Sequence, residues 1–295
     1  MRFQGIYPAM LTPFEEDDRV DYDAMGHLIE FLIGKGVHGL FPLGTTGEGM
    51  LLSIEERKQV AEFIIRTVNG RIPVVLHVGD ISTARVVQLA QHAERIGASG
   101  ISVICPYFFP LDDDAIFGHY QQISQSVSQS FPLFVYNFPG NARNEIRRPL
   151  LARLIADFPN IRALKFSSDD FSEIQRILLE TSDDFSVMLG PDQYVFSGLV
   201  AGASGSVSGN ANIFPEPFVR LYQHYQKGEW EAAKKEQAKI IQISDALMHG
   251  KDLSVFKTAL AYRGLSGGVV RSPLRNITAE EEKDLFRRLE RLELK

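Results

Sequence analysis

The amino-acid sequence predicts an α/β fold, a (β/α)8 TIM barrel with a C-terminal helical extension. Short β-branched or aromatic segments alternate with helical patterns along most of the 295 residues, and eight such strand–helix pairs can be counted. The strands are apolar along nearly their whole length, which is typical of parallel sheets buried on both faces. An open, doubly wound sheet would share this property, but the count of eight favours the barrel.

The eight predicted strands are bounded by glycine, proline or polar residues. They cover residues 5–11, 38–43, 72–78, 100–106, 131–137, 161–168, 185–190 and 202–207. Alternate residues of a strand point to opposite faces, so Lys165 shares a face with Ile161 and Ala163 in the sixth of these strands.

Helices are predicted between the strands, at residues 23–35, 53–68, 82–97, 113–129, 147–157, 171–179 and 192–200. The second helix has the clearest start signal. Ser53 precedes Glu56 by three residues, a spacing that allows the two side chains to form a capping box.

The division of the chain follows from where the strands stop. After the eighth strand the pattern is helical to the end, with breaks near Gly228, near Gly250 and in residues 264–273. We therefore expect the barrel, through its eighth strand, in residues 1–212. Residues 213–295 are expected to form the last barrel helix and the helical extension.

The composition limits the classes of function. The chain is 44% apolar with a net charge of −6, and it has no basic stripe, which argues against nucleic acid as the main partner. No apolar run approaches the roughly 20 residues that span a bilayer, and the first residues do not resemble a signal peptide. The one cysteine, Cys105, cannot form an internal disulfide, so we expect a cytoplasmic protein.

Lys165 is the main candidate for chemistry, because a lysine in an apolar strand is rarely buried unless it is paired. If its side chain points into the barrel mouth, at the carboxyl ends of the strands, loss of hydration favours the neutral amine. A neutral amine can attack a ketone or aldehyde and form a Schiff base. Alternatively, Lys165 is a structural lysine paired with a carboxylate, which Glu48 or Asp192 could supply. The pattern alone favours neither.

Tyr136 closes the strand before that of Lys165 and is a candidate proton shuttle. Neighbouring strands lie about 4.8 Å apart, so inward side chains at adjacent strand ends can meet. A phenol beside a Schiff base could carry a proton to or from the substrate. A tyrosine at a strand end is otherwise often a core residue, but the lysine on the next strand favours the catalytic interpretation.

Two glycine-rich segments at the ends of predicted strands could bind small polar groups. GTTGEG matches neither GxGxxG nor a P-loop, but the glycines, Gly47 among them, would let backbone N–H groups approach a carboxylate. Thr45 and Thr46 add hydroxyl donors there. GASGSVSGN, which contains Ser206, could hold a phosphate or sugar hydroxyls. Either segment could instead be a turn or a site of close packing.

Other candidate groups are weaker. The seven histidines show no HExxH motif and no ligand spacing, so we expect no metal site. His77 is interpreted as a packed residue at the end of a barrel strand. Cys105 lies in an apolar strand and is interpreted as a core residue.

These motifs resemble those of the dihydrodipicolinate synthase / N-acetylneuraminate lyase family. GLFPLGTTGEG followed by Glu56 is similar to the family's first signature, and YNFPGNA through IRALKFS is similar to its second. The similarity covers nearly the whole chain, including FKTAL and RSPL in the helical tail. It implies a Schiff-base barrel that acts on pyruvate or another 2-oxo acid. It also implies no metal or organic cofactor, and a homotetramer built as a dimer of dimers.

The resemblance also implies roles for individual residues. Lys165 would be the Schiff-base lysine and Tyr136 the proton shuttle. Thr45 would be the relay hydroxyl, and Thr46, beside Gly47, would bind the carboxylate of the 2-oxo acid.

Two departures argue against dihydrodipicolinate synthase itself. Phe108 stands where these synthases have a second tyrosine, and Tyr107 is one residue early. Asn141 stands where they have an arginine that binds the carboxylate of the aldehyde. Arg143 could substitute for this arginine only if the loop differs.

Other positions are more similar to the sialic acid lyase branch. Ser167 stands where that branch has a threonine, and Gly190 and Asp192 match its polyol-binding residues. Gln193, however, replaces a glutamate that binds the sugar, and Gly209 falls where a serine is expected. A shorter 2-keto-3-deoxy sugar acid therefore fits at least as well as sialic acid.

The sequence thus predicts a class I lyase in which Lys165 attacks the C2 carbonyl of a 2-oxo acid and a 4-hydroxy-2-oxo acid is cleaved or formed. Without a hydroxyl at Phe108, its proton relay would use water or another donor. One alternative is 4-hydroxy-tetrahydrodipicolinate synthase, which joins pyruvate to aspartate semialdehyde in lysine biosynthesis, if Arg143 reaches the aldehyde's carboxylate. Another is a non-catalytic barrel that binds a small acid.

Overall fold

A computed structural model describes residues 2–292. Its centre is a parallel sheet of seven strands, β1 (Gly5–Pro8), β2 (Val75–His77), β3 (Gly100–Ile104), β4 (Leu133–Asn137), β5 (Ile161–Phe166), β6 (Ser186–Leu189) and β7 (Gly205–Ser208). The spatial order is β1-β7-β6-β5-β4-β3-β2. The first strand therefore lies beside the last, and the sheet curls around an interior with β1 and β2 at its edges.

The sequence predicts eight strands, and the one predicted at residues 38–43 is reduced to a single bridge between Leu40 and Val74. Proline explains the difference. The N–H of His77 donates to the carbonyl of Pro42 at 3.1 Å. Pro42 has no N–H with which to continue the ladder, so regular pairing stops there.

The same segment nevertheless lies between the two edge strands. The N–H of His38 donates to the carbonyl of Ile6 in β1, at 2.8 Å. On the other side, the N–H of Val75 in β2 donates to the carbonyl of Leu40 at 2.9 Å. Residues 38–42 are thus bonded to β1 and to β2 at once.

Helices cover the outside of the sheet. Within residues 2–292 they are α1 (Tyr22–Gly34), α2 (Ile54–Val68), α3 (Thr83–Arg95), α4 (Asp113–Gln125), α5 (Pro139–Ala142), α6 (Arg148–Asp157), α7 (Phe171–Glu180), α8 (Val195–Val200), α9 (Pro215–Gln226), α10 (Trp230–Ala246), α11 (Leu253–Ala261) and α12 (Ala279–Glu290). The capping box predicted for α2 is confirmed, with reciprocal bonds between Ser53 and Glu56. No described helix is long and apolar enough to cross a membrane.

The interior of the curled sheet is packed with side chains rather than hollow. One buried cluster consists of Phe3, Tyr7, Ala9, Phe41, Val75, Phe134, Ala163, Met188 and Val207. Lys165 is the direct partner of Met188 in β6 and lies two residues after Ala163, so its side chain shares this inner face. The sheet therefore places the side chain of Lys165 near the carboxyl ends of the strands, next to a packed interior.

Candidate active site

Lys165 and Tyr136 lie side by side on neighbouring strands. They are direct partners in the register of β4 and β5. Nζ of Lys165 lies 4.1 Å from the centre of the Tyr136 ring. Both residues are buried, with 4% of Lys165 and 2% of Tyr136 exposed. The strand pairing therefore brings an amine and a phenol together, as the alternation of the two strands predicts.

Neither carboxylate that the sequence offers as a partner is bonded to Lys165. Glu48 pairs instead with Lys257, at 2.5 Å between Oε1 and Nζ. Asp192 accepts hydrogen bonds from two other polar side chains, Ser208 and Asn210. Nζ of Lys165 lies 4.4 Å from the centre of the Phe41 ring. Within residues 2–292, the surroundings of Lys165 differ from those of a structural lysine in an ion pair.

A cavity of about 1250 Å³ opens at Lys165. Seven of the ten residues predicted to act in catalysis or to bind substrate line it, namely Thr45, Thr46, Tyr136, Lys165, Ser167, Gly190 and Asp192. They come from the ends of several strands, so the fold assembles at one place groups that are far apart in the sequence.

Asp192 is a buried carboxyl group in this cavity. Its Oδ2 accepts from the hydroxyl of Ser208 at 2.8 Å and from the amide of Asn210 at 2.7 Å. Its Oδ1 has no partner among the described residues. Burial raises the pKa of Asp192 to about 7, although the two hydrogen bonds and the charge of Lys165 oppose the shift. The carboxyl group can therefore accept or donate a hydrogen bond near neutral pH.

Gly190 makes room for Ser167. A Cβ atom at position 190 would lie only 2.1 Å from Oγ of Ser167. The N–H of Gly190 also donates to the carbonyl of Phe166 at 2.8 Å, which fixes the two segments together. The absence of a side chain at position 190 thus allows the Ser167 hydroxyl to stand in the cavity.

Gly47 does not line the cavity but shapes the turn that carries Thr45 and Thr46. Its carbonyl accepts from the Thr12 hydroxyl at 2.8 Å. A Cβ atom at position 47 would lie 2.7 Å from the carbonyl oxygen of Met10. The structure therefore shows a packing requirement for Gly47, and its contact with substrate stays a prediction.

Ser206 also lies outside the cavity lining. It is the direct partner of Leu189, whereas the preceding residue of β6, Met188, is the partner of Lys165. Successive strand residues point to opposite faces, so Ser206 and Lys165 are on different faces of the sheet. The structure thus places Ser206 away from Lys165, and its contact with substrate stays a prediction.

Arg143 does not take the place of the missing arginine. It follows α5 with a left-handed backbone, at φ 63°, and its side chain is exposed. The residue of this segment that lines the cavity is Asn141, which carries no charge. Arg143 is not among the residues that line the cavity, and its contact with substrate stays a prediction.

Phe108 and its aromatic neighbour Phe109 are not among the residues that line this cavity. Phe108 is 71% exposed and packs edge to face against Phe109, with 5.0 Å between the ring centres. The hydroxyl of Tyr107 donates to Sδ of Met50 at 2.9 Å. Phe108 has no hydroxyl group, and within one chain the hydroxyl of Tyr107 is bonded away from the cavity.

His77 and Cys105 are packing residues, as the sequence indicates. Burial, with the nearby charges of Arg57 and Lys165, lowers the pKa of His77 well below its usual value. Burial raises the pKa of the Cys105 thiol to about 12. The neutral imidazole and the protonated thiol are the stable forms at neutral pH.

The C-terminal extension also contributes to the cavity, which the sequence does not predict. Ser244 and Asp245 of α10, together with His249 and Lys251 just after it, line the cavity. No motif or spacing marks these residues. Their position depends on how the extension folds back over the curled sheet, a contact between distant parts of the chain.

Comparison with known proteins extends over the whole chain. A family model described as the dihydrodipicolinate synthetase family matches residues 2–292. An uncharacterised DapA-like lyase of Halobacterium salinarum is 34% identical over 281 residues, 95% of this chain and 91% of that protein. The 4-hydroxy-tetrahydrodipicolinate synthase of Bacillus subtilis is 32% identical over 285 residues, 97% of this chain and 98% of that protein.

Solved structures are similar over the same length. YagE, a prophage protein of the dihydrodipicolinic acid synthase family from E. coli K12, was solved in complex with pyruvate. It has a TM-score of 0.95 and 30% identity, covering 99% of both chains. Dihydrodipicolinate synthase from Aquifex aeolicus has a TM-score of 0.94 and 30% identity, with the same coverage. The chain belongs to the dihydrodipicolinate synthase family, a family of class I pyruvate-dependent lyases.

Proposed function

We propose that this enzyme is a Schiff-base aldolase that cleaves or forms a 4-hydroxy-2-oxo acid, with pyruvate as the smaller 2-oxo acid. The observation that carries the proposal is the buried Lys165, which opens onto the cavity and has no carboxylate partner among the described residues. An amine in this position can attack the C2 carbonyl and lose water to give an iminium. The positive nitrogen then withdraws electrons from the neighbouring carbon atoms.

The phenol of Tyr136 is placed to move the proton that the cleavage requires. When it takes the proton of the C4 hydroxyl, the C3–C4 bond breaks and its electron pair enters the iminium. An aldehyde leaves, and the enamine of pyruvate remains on Lys165. Protonation at C3 and hydrolysis of the Schiff base release pyruvate, and the reverse sequence is aldol addition.

The turn after residues 38–42 is assigned to the carboxylate of the 2-oxo acid. Thr45 and Thr46 line the cavity, and their hydroxyl groups, with backbone N–H groups of the turn, can donate to an anion. Thr45 is also the candidate that the family resemblance indicates for a relay hydroxyl beside Tyr136. Without a hydroxyl at Phe108, the relay would use water or another donor as well.

The distal part of the cavity supports a neutral polyhydroxylated aldehyde. Asp192 and Ser167 offer polar groups to hydroxyls there, which fits a 2-keto-3-deoxy sugar acid or an N-acetylneuraminate-like substrate. Charged side chains of both signs also line the cavity, where Asp169, Asp170 and Asp245 outnumber Lys251. This excess of carboxylates disfavours a second carboxylate on the substrate.

4-Hydroxy-tetrahydrodipicolinate synthase is the second candidate, because several relatives carry that name at about the identity of the Bacillus subtilis protein. Its substrate, aspartate semialdehyde, has a carboxylate of its own to be bound. The uncharged Asn141 in the cavity and the exposed Arg143 outside it make this substrate less suitable. A non-catalytic barrel that binds a small acid is a third candidate, which the intact Lys165–Tyr136 pair disfavours.

Two larger features are inferred with the function. Residues 38–42, bonded to both edges of the sheet, would serve as the eighth strand and close the barrel. Residues 1–212 would then be the barrel, and 213–295 its last helix and extension. A homotetramer, common in the family, stays a prediction for this chain.

Trapping with borohydride tests the proposal. Reduction in the presence of pyruvate is expected to leave an adduct on Lys165, detected by intact mass and peptide mapping. Lys165→Ala, checked for folding, should take up none. If the wild-type protein is folded and forms no adduct, Schiff-base chemistry with pyruvate is excluded. If the adduct forms, a comparison of turnover with sugar-derived aldehydes and with aspartate semialdehyde identifies the partner substrate.

A further inference from the structure

A second buried lysine lies outside the cavity and does have a carboxylate partner. The side chain of Lys257, on α11, is 1% exposed, and its Nζ lies 2.5 Å from Oε1 of the fully buried Glu48. Nζ also donates to the carbonyl of Val269 at 2.6 Å. Burial lowers the pKa of Lys257 to about 8, although the charge of Glu48 raises it. The pair joins the C-terminal extension to the first half of the chain.

Glu48 belongs to the turn that carries the two threonines of the cavity. Its N–H donates to the carbonyl of Thr45 at 3.1 Å, so one hydrogen bond closes the turn around Thr46 and Gly47. Its backbone is left-handed, at φ 52°. Residues with a Cβ atom seldom adopt this conformation, so surrounding contacts must hold Glu48 in it.

The other oxygen of Glu48 is held by the same extension. Oε2 accepts from the N–H of Arg271 at 2.9 Å. The guanidinium of Arg271 in turn bonds to the carbonyl of Leu51 at 3.1 Å and to the carboxylate of Glu56 at 2.5 Å. Two separate parts of the extension, α11 and the segment ending at Arg271, thus meet at one carboxylate.

The extension packs closely around this contact. A Cβ atom on Gly267 would lie 2.2 Å from the carbonyl oxygen of Lys257, and one on Gly268 would lie 2.1 Å from that of Phe14. Lys257 also lies against the Phe14 ring, at 4.1 Å from its centre. The ion pair therefore lies in a close contact between the extension and the first half of the chain.

We propose that the Glu48–Lys257 ion pair positions the Thr45–Thr46 turn for binding of the 2-oxo acid. Lys257 is then a positioning residue, which acts through Glu48 and does not touch the substrate. The inference rests on the proposed function, in which the two threonines receive the carboxylate and relay the proton. It assigns a role in the reaction to the C-terminal extension, where Lys257 lies 92 positions after Lys165 in the chain.

The substitution Lys257→Met tests the proposal, because it keeps the length of the side chain and removes its charge. Lys165 is untouched, so the borohydride adduct with pyruvate should still form at saturation. The pyruvate concentration for half-maximal trapping should rise about tenfold or more, since small errors of position cost up to about a hundredfold in rate. Lys257→Arg, which keeps the charge, should recover part of the loss.

Two variants separate positioning from loss of stability. Glu48→Gln with Lys257→Met leaves no unpaired buried charge and should fold even if the single variant does not. It should still need the raised pyruvate concentration for half-maximal trapping. Arg263→Met removes another ion pair of the extension, with Glu216 at 2.5 Å, that is not bonded to the turn. It should lower the melting temperature without changing the response to pyruvate.

Hydrogen exchange of the amides in residues 44–51 gives a readout that needs no activity. Exchange there should rise in Lys257→Met and in the double variant, but not in Arg263→Met. Unchanged exchange and unchanged pyruvate dependence in the folded double variant would overturn the inference, as would an equal change in Arg263→Met. Failure of the proposed function is a different result, namely no adduct on the wild-type protein.

Discussion

Lys165 and Lys257 are both buried, with 4% and 2% of each residue exposed, yet their surroundings differ. Lys257 has a carboxylate at 2.5 Å, whereas Lys165 faces two aromatic rings and a cavity. A buried charge is stable in a protein chiefly when it is paired, so pairing is what a structural lysine requires. An amine that lacks this pairing and opens onto a cavity is available to react.

Replacement of Tyr136 by phenylalanine tests the proton shuttle. The ring keeps its packing against Lys165, so we expect the pyruvate adduct to form as before. Turnover of a 4-hydroxy-2-oxo acid should fall by about 10² to 10⁴, the usual contribution of a positioned acid or base. Steady-state kinetics measures the loss of turnover, and borohydride trapping measures whether the pyruvate adduct still forms.

Tyr120→Phe is the matched control for this substitution. Tyr120 is buried like Tyr136, but its hydroxyl donates to the carbonyl of Val103 at 2.8 Å, in the core. It should lower stability and leave turnover unchanged. A Tyr136→Phe enzyme with wild-type turnover would show that another group moves the proton.

Strand alternation made the meeting of Lys165 and Tyr136 predictable, because each lies near the end of an apolar strand and consecutive strands of such a fold are neighbours. Loop residues that also line the cavity, such as Asp192, were indicated by the family resemblance and not by alternation. The face on which Ser206 lies was not predictable, because the glycine-rich segment around it shows no alternation from which to infer one. Arg143 follows the short helix α5, which no sequence pattern predicts.

At the scale of single elements, local sequence signals determine where helices begin, whereas pairing between distant segments determines where strands end. The capping box of α2 was predictable because Ser53 and Glu56 are three residues apart. The strand expected at residues 38–43 looked regular in composition. Its failure to pair regularly comes from Pro42, whose missing N–H matters only once β2 lies beside it.

Ser53→Ala tests how much the capping box stabilises α2. The hydroxyl of Ser53 accepts from the N–H of Glu56, a bond that alanine cannot replace. We expect the free energy of unfolding to fall by about 1 kcal/mol, the usual value of a helix cap. Chemical denaturation measures the loss.

Thr278→Ala, in the equivalent capping box of α12, provides the comparison. Pyruvate trapping should be unchanged in both variants, because neither hydroxyl lines the cavity. A loss of trapping in Ser53→Ala alone would mean that α2 also positions the nearby turn. That result would assign the cap a role beyond stability.

At the scale of the whole molecule, the extension after β7 completes a site that the strands begin. It lines the opening of the cavity and reaches the turn of the threonines through Lys257. Neither contact was predictable, because helical periodicity indicates which face of a helix is buried but not which element packs against that face. Contacts between segments some 200 positions apart, such as Glu48 and Arg271, leave no local signal in the sequence.

Asp192 makes the stability of the whole molecule depend on pH. Burial raises its pKa from 3.8 to about 7 in the folded protein. Between these values the folded state holds a proton that the unfolded state releases, so the free energy of unfolding falls as pH rises. The loss should amount to a few kcal/mol, at about 1.4 kcal/mol per pKa unit, and be complete above pH of about 7.

Asp192→Asn isolates this contribution, since every other titrating group is common to both proteins. Denaturation of both at several pH values should show the variant gaining stability relative to wild type as pH rises through this range. A difference that stays constant with pH would mean that Asp192 titrates normally in the folded protein.

The segment between β1 and β2 has a consequence for how firmly the two threonines are held. Residues 38–42 form backbone hydrogen bonds on both sides, such as that from the N–H of Phe41 to the carbonyl of Pro8 at 3.0 Å, although they form a single regular bridge. Segments open readily where backbone hydrogen bonds are few and exposed, and this one is largely buried and bonded on both sides. Thr45 and Thr46 lie three and four residues after it, so the groups assigned to the carboxylate are anchored before the acid arrives.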